Sequence, residues 1–294
     1  MKKIFTLLLI LQFSLSLFSQ GVDYKYDSKH ILEIKKSTIY IIPTGDKNFD
    51  DSLNYYVAKC WKVSPYKVIT REEADLLLKE ESNYFLAAVP ALGNDGFGTK
   101  STVKAPISDY AKSVYIFHGS KKSKFKSIEY QNALYCRLPF YGKDNYTAGL
   151  GYVVKNLNDN VELIIELLSS NKISGVNSPS KEWIPTIRTE FSKRANPLKE
   201  KTLLIDSKAK EIHLKENVMK AYKYSYKIVT TSEMLSLLNS QLDKYCFLAA
   251  DAEMDIYDAE SNNLIFSLNT RTGSGSIQIT EKHIQKLNTS IAKP

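Results

Sequence analysis

The chain has 294 residues, 43% hydrophobic and 24% charged, with 40 Lys and Arg against 32 Asp and Glu for a net charge of +8. That length suits two domains, either of which can bury a core. A charge excess this mild, with both signs intermixed, argues against nucleic acid as a partner.

Residues 1–19 read as a secretory signal. Lys2 and Lys3 form the basic region, Ile4 to Phe18 the apolar region, and Ser19 before Gln20 the cleavage point. The apolar stretch falls short of the roughly 20 residues a bilayer span needs. No later run is apolar enough to span, so the mature chain is expected to be periplasmic or secreted, without a transmembrane span.

Residues 20–170 predict a first α/β unit. A strand at Thr38–Ile42 leads to an amphipathic helix carrying Leu53, Tyr56, Val57, Cys60 and Trp61 at helical spacing. The run Trp61-Lys62-Val63-Ser64-Pro65-Tyr66-Lys67-Val68-Ile69-Thr70 then supplies a β-branched strand, and Thr70 with Glu73 makes a capping box for a short helix. Phe85-Leu86-Ala87-Ala88 is the next strand, followed by a loop from Pro90 to Pro106. A hairpin follows, with strands at Ser113–Phe117 and Ala133–Cys136 and a basic tip around Lys121 to Lys126. A long helix with Leu150, Val154, Leu157, Val161, Ile164 and Leu168 in register closes the unit. Residues 171–200, with Pro179, Pro185 and Pro197, read as a linker with a short helix in it.

Residues 201–294 repeat the plan. Tyr222-Lys223-Tyr224-Ser225-Tyr226-Lys227-Ile228-Val229-Thr230 restates the first run without its Pro, and Phe247-Leu248-Ala249-Ala250 restates the second. Between them Thr230 and Glu233 form a second T-x-x-E box. A helix bearing Leu214, Val218, Ala221 and Tyr222 is expected before the first of these runs. A hairpin around Asp258–Asn263 and a final helix with Ile284, Leu287 and Ile291 follow. The spacing indicates two tandem copies of one α/β domain, each β-α-β-α-β, hairpin, helix, with helices packed on a mixed sheet.

Chemistry is harder to find. Asp46 to Asp51 resembles the start of a calcium loop, but the sixth position is Asp51 rather than Gly and the twelfth is Val57 rather than Glu. The acids there suit a helix cap. Gly93 to Ser101 misses the P-loop pattern because Thr99 separates Gly98 from Lys100. His30, His118, His213 and His283 form no H-E-x-x-H pair, and Gly273-Ser274-Gly275-Ser276 lacks the elbow spacing of a serine hydrolase. Cys60, Cys136 and Cys246 have no close spacing; buried free thiols are expected, with a single disulfide plus a leftover thiol as the alternative. Two charge clusters remain as candidate binding surfaces. One is Lys121, Lys122, Lys124 and Lys126 at the hairpin tip. The other is Asp251, Glu253 and Asp255, which alternate on one face of a strand expected to be solvated.

Two segments carry a family resemblance. Tyr66 to Leu77 is similar to a strand that ends in a polar residue before a short Leu-rich helix. Asp255 to Phe266 is similar to a hairpin in which Asp, two further residues, Ser or Thr, and Gly turn the chain, with Asn262 where Gly is usual. Both resemble the periplasmic α/β domain of the TolB amino-terminal region, the curli-secretion channel protein and the lipoprotein activators of cell-wall synthases. The resemblance implies a fold and a role in partner binding or assembly, with no catalytic residues to transfer. The expectation is therefore an exported, non-enzymatic protein without cofactor or metal, whose partner is another envelope protein or an anionic glycan. The alternative is a secreted hydrolase or small-ligand-binding protein with its site in the cleft between the copies.

Overall fold

The computed structural model describes residues 23–24, 28–89, 113–121, 134–139, 147–174, 179–214, 217–250, 253–270 and 278–293. The loop from Pro90 to Pro106, the glycine run within it, Lys122, Lys124, Lys126 and Asp251 lie outside these residues.

Eleven strands and eight α-helices are described, as mixed α/β structure. The strands are β1 (Asp23–Tyr24), β2 (Ile39–Ile42), β3 (Tyr66–Val68), β4 (Tyr84–Val89), β5 (Ser113–His118) and β6 (Leu134–Arg137), then β7 (Thr202–Asp206), β8 (Tyr226–Val229), β9 (Tyr245–Ala250), β10 (Glu253–Asp258) and β11 (Leu264–Asn269). The helices are α1 (Ser28–Ile34), α2 (Lys47–Cys60), α3 (Arg71–Leu77), α4 (Leu150–Ser169), α5 (Pro179–Ser192), α6 (Ser207–His213), α7 (Thr231–Ser240) and α8 (Glu281–Ala292).

The first sheet runs β1-β6-β5-β4-β2-β3 and the second β11-β10-β9-β7-β8. Apart from β1 the two orders are the same, and so are the strand directions. β2 lies parallel to β3 and β4, as β7 does to β8 and β9, and the remaining pairs are antiparallel. Register agrees as well: Ile41 sits between Val68 and Leu86, and Ile205 between Ile228 and Leu248. Even the stacked ring pair across the FLAA strand recurs, Phe85 on Phe117 at 5.5 Å and Phe247 on Tyr257 at 5.4 Å.

Local chemistry sets the element ends. Asp46 caps α2 by accepting from the Phe49 amide at 3.1 Å, which is the role its acid run suggested. Thr70 and Glu73 form both bonds of the capping box. Thr230 makes only its half, accepting from the Glu233 amide at 3.2 Å, while the Glu233 carboxylate holds Lys227 at 2.7 Å. In the second hairpin Asn262 takes φ 58, the left-handed conformation that Gly usually supplies, and Asp258 accepts from Ser261. The helix expected across Leu214 to Tyr222 is instead broken. α6 ends at His213, Leu214 bridges to Ile279, and Asn217 at φ 65 starts a separate 3-10 turn, Val218–Ala221. A left-handed residue cannot continue a right-handed helix, so the apolar stripe is carried by two short pieces.

The two units meet through α4. Of its 20 residues 14 are buried, on more than one side, and Glu162, Glu166 and Ser169 mark the one exposed stripe. One face packs on the first sheet with α2, where Gly151 lies so close to the Tyr56 ring that a Cβ would sit 2.7 Å from Cε1. Another face meets the second sheet. Tyr152 stands edge-on to Phe247 at 4.8 Å and to Tyr257 at 5.7 Å. Leu204, Phe247, Ala249 and Tyr257 thus share one continuous core with Ile41, Leu86 and Val114. The stretch between the units joins that core as well: Trp183, Ile187 and Phe191 of α5 are buried in it.

A polar knot pins this junction. Asn156 of α4 donates from Nδ2 to the Tyr257 hydroxyl at 3.1 Å and to Cys136 Sγ at 3.4 Å, and Asn160 donates to Asn156 Oδ1 at 2.6 Å. Removing one partner of a buried hydrogen bond costs about 1–3 kcal/mol per stranded group. Asn156→Ala is therefore expected to lower stability by about that amount, read as a lower urea midpoint with unchanged m-value.

Candidate functional site

Glu253 and Asp255 do not form a solvated acidic face. They are 3% and 0% exposed, on the side of β10 that looks into the junction. Glu253 forms an ion pair with Arg188 of α5 and accepts from Ser267 at 3.2 Å. Asp255 stands in register between Ala249 of β9 and Ser267 of β11, close enough to act on Cys136 and Tyr257 electrostatically. Alternation placed the two on one face correctly. Their burial follows from α5, which covers that face with an arginine and three large apolar side chains. Lys121 is exposed in the turn after β5 and is the one member of the basic tip among the described residues.

The three cysteines are free and buried. Burial pushes the Cys136 thiol up to about 12 and raises Cys60 and Cys246 as well. They pack as small apolar groups, not as poised nucleophiles. His30 and His118 stack at 4.2 Å beside Tyr84, which donates to Glu33 at 2.7 Å. Among the described residues no group of three His, Cys, Asp or Glu side chains could hold a metal ion. At the rim of the junction two hollows of about 170 and 300 Å³ are lined by Tyr56, Gly151 and Asn239, and by Lys155, Asp159 and Arg194.

A wider concavity, about 830 Å³, lies elsewhere, in a groove between α5, β11 and α8. α8 presents its buried stripe of Ile284, Leu287 and Ile291 to the second sheet, which turns Lys282, Lys286 and Lys293 outward into the groove. The other wall is α5, with Arg188, Thr189, Ser192 and Lys193. The floor is the β11 run Phe266 to Asn269. Five of the fifteen lining residues are basic and none is acidic. Arg188 and Lys193 are already paired, with Glu253 and Glu190. Lys282, Lys286 and Lys293 make no ion pair among the described residues, so the net field of the groove is theirs. That field reaches His283, whose pKa is lowered by partial burial and then by Lys286 and Lys282.

Comparison with family models, curated proteins and solved structures finds no match. The groove therefore has to be read from its own chemistry. Sequence reasoning passed over it because its three lysines are spread along one helix, and its second wall belongs to a stretch read as linker. The helical spacing of Lys282, Lys286 and Lys293 opposite Ile284, Leu287 and Ile291 was the available signal.

The thiols provide a check on this description. Above pH 9 an unfolded cysteine releases a proton that folded Cys136 keeps until about 12, so rising pH favours the unfolded chain in that window. The urea midpoint is expected to fall between pH 8 and 10.5, less steeply in Cys136→Ala than in the parent. A thiol-reactive dye is expected to label the three cysteines fully only in denaturant.

Proposed function

We propose that this is an exported, non-enzymatic binding protein that holds an anionic partner in the groove between α5, β11 and α8. The observation that carries the reading is the groove itself: five basic side chains, no acidic one, and three lysines left to an incoming anion. An acidic polypeptide suits it best. Pro185 and Leu268 offer apolar contact, the rim offers charge, and no exposed aromatic ring is present for a sugar to stack on. The signal-like residues 1–19 and the resemblance to envelope domains that bind partners support the same reading. Attraction of this kind is expected to speed association and to weaken with salt.

The double substitution Lys282→Glu and Lys286→Glu is expected to lower affinity for an acidic partner at least tenfold at low salt. Titration with polyglutamate, with a sulfated glycan as the second arm, measures this. Binding of polyglutamate should also raise the His283 pKa in an NMR titration, because the anion offsets the two lysines. Equal binding by parent and variant, or a preference for the glycan, would overturn the assignment.

A further inference from the structure

The most closely repeated stretch of the chain is also its most exposed strand. In β3 all three residues, Tyr66, Lys67 and Val68, are exposed, and in β8 Tyr226, Lys227 and Ile228 are. Tyr66 is 40% exposed and Val68 46%, and Tyr226 and Ile228 are 40% each. Large apolar residues in matching positions of both units thus face water, whereas the other repeated residues serve cores and caps.

Register shows what these residues offer. The Ile39 amide donates to the Pro65 carbonyl, and the Ile69 amide to the Ile41 carbonyl, so residues 65, 67 and 69 turn their backbone groups toward β2. In the second unit the Leu203 amide donates to the Ser225 carbonyl, so residues 225, 227 and 229 turn theirs toward β7. Backbone groups alternate along a strand. The N–H and C=O groups of Tyr66 and Val68, and of Tyr226 and Ile228, therefore point out of the sheet. Among the described residues β3 and β8 end their sheets, with no further strand beside them. Of the usual guards of such an edge, both strands are short and carry a central lysine, Lys67 or Lys227, but no proline stands at an outward position. Pro65 stands at an inward position, and the second unit has no proline there.

The geometry points to β8, and β3 as its counterpart, as strand-addition sites that take an extended segment of a partner protein with apolar, acidic and apolar residues in alternation. The outward backbone groups bind the segment's main chain, Tyr226 and Ile228 meet its apolar residues, and its acid lies opposite Lys227. Charge decides against a second copy of this chain as occupant. The two-fold antiparallel register that pairs Tyr226 with Ile228 of another copy sets Lys227 directly against Lys227, a destabilising opposition. Lys227 and Lys67 are each ion-paired on their own unit with Glu233 and Glu73, and Lys223, with Lys62 at the first edge, leaves an excess of positive charge among the described residues. This site is separate from the groove and stands without it.

Amide exchange and a synthetic peptide of alternating Val and Glu test the assignment. In the free protein the amides of Tyr226 and Ile228 should exchange fast, and that of Lys227 slowly. The peptide should slow exchange at Tyr226 and Ile228 at least tenfold. The same peptide N-methylated at alternate residues, on the edge that faces β8, should lose at least tenfold in affinity. Ile228→Pro, which removes an outward N–H together with the apolar Ile side chain, should do the same, while the variant Lys282→Glu with Lys286→Glu should still show protection at both amides. No binding by the peptide, equal binding by its methylated form, or protection confined to the groove would overturn the proposal. A protein that aggregates through β8 without peptide would do so too, since it would make a second copy the occupant.

Discussion

Everything else in this molecule depends on α4 being buried on more than one side, with the stripe of Lys155, Glu162, Glu166 and Ser169 left toward solvent. A helix with one apolar stripe can close a single sheet, but Tyr152, Val153, Asn156, Leu163 and Leu167 are buried along with the Leu157 and Val161 line. A helix whose apolar surface is wider than one stripe has to be covered from more than one side. The first sheet covers one side and the second sheet the other, so the second unit completes the surroundings of a helix that belongs in sequence to the first. The buried Asn156, Asn160 and Tyr257 bonds then fix which residues meet, since an apolar seam alone would tolerate sliding.

That shared helix also explains why two units with the same strand order differ in what surrounds them. The face of the second sheet that holds Phe247, Ala249 and Tyr257 looks at α4 and α5, and merges with the first unit's core. The matching face of the first sheet, with Phe85, Ala87 and Phe117, belongs to a small separate cluster with Ala74 and Leu78 of α3 and its end. A carboxylate occurs at one of these matched positions and not at the other. Asp255 of the second unit corresponds in register to Tyr115 of the first. On the second unit's face, α5 brings Arg188 into an ion pair with nearby Glu253.

Much of the fold was legible because it is written in local chemistry. The Thr70 box, the Asp46 cap, the β-branched strands and the α8 stripe need only neighbours in sequence, and each appears where the spacing places it. The failures involve partners far along the chain. Alternating acids at 253 and 255 look solvated until Arg188, read as linker, arrives above them. Pro185 hid that helix, since a proline inside a helix breaks its pattern, yet α5 carries it within its first turns and remains helical to Ser192. The Leu214 to Tyr222 stripe misled in the opposite way: its spacing is helical, but Asn217 turns left-handed inside it. The basic groove was hidden for the same reason as the ion pair, because one of its walls is α5.

Sharing α4 sets an order of events in the life of the chain. In chain order, the closing helix of the first unit can rest on the first sheet and on α5, yet Tyr152 meets the rings of Phe247 and Tyr257 only once residues beyond 245 exist. The first half is thus a product with an unfinished wall, sticky in proportion to that apolar surface and exposed to chaperones or proteases meanwhile. That wall closes only with the second unit in place, so the junction ties the two halves together although their strand orders match.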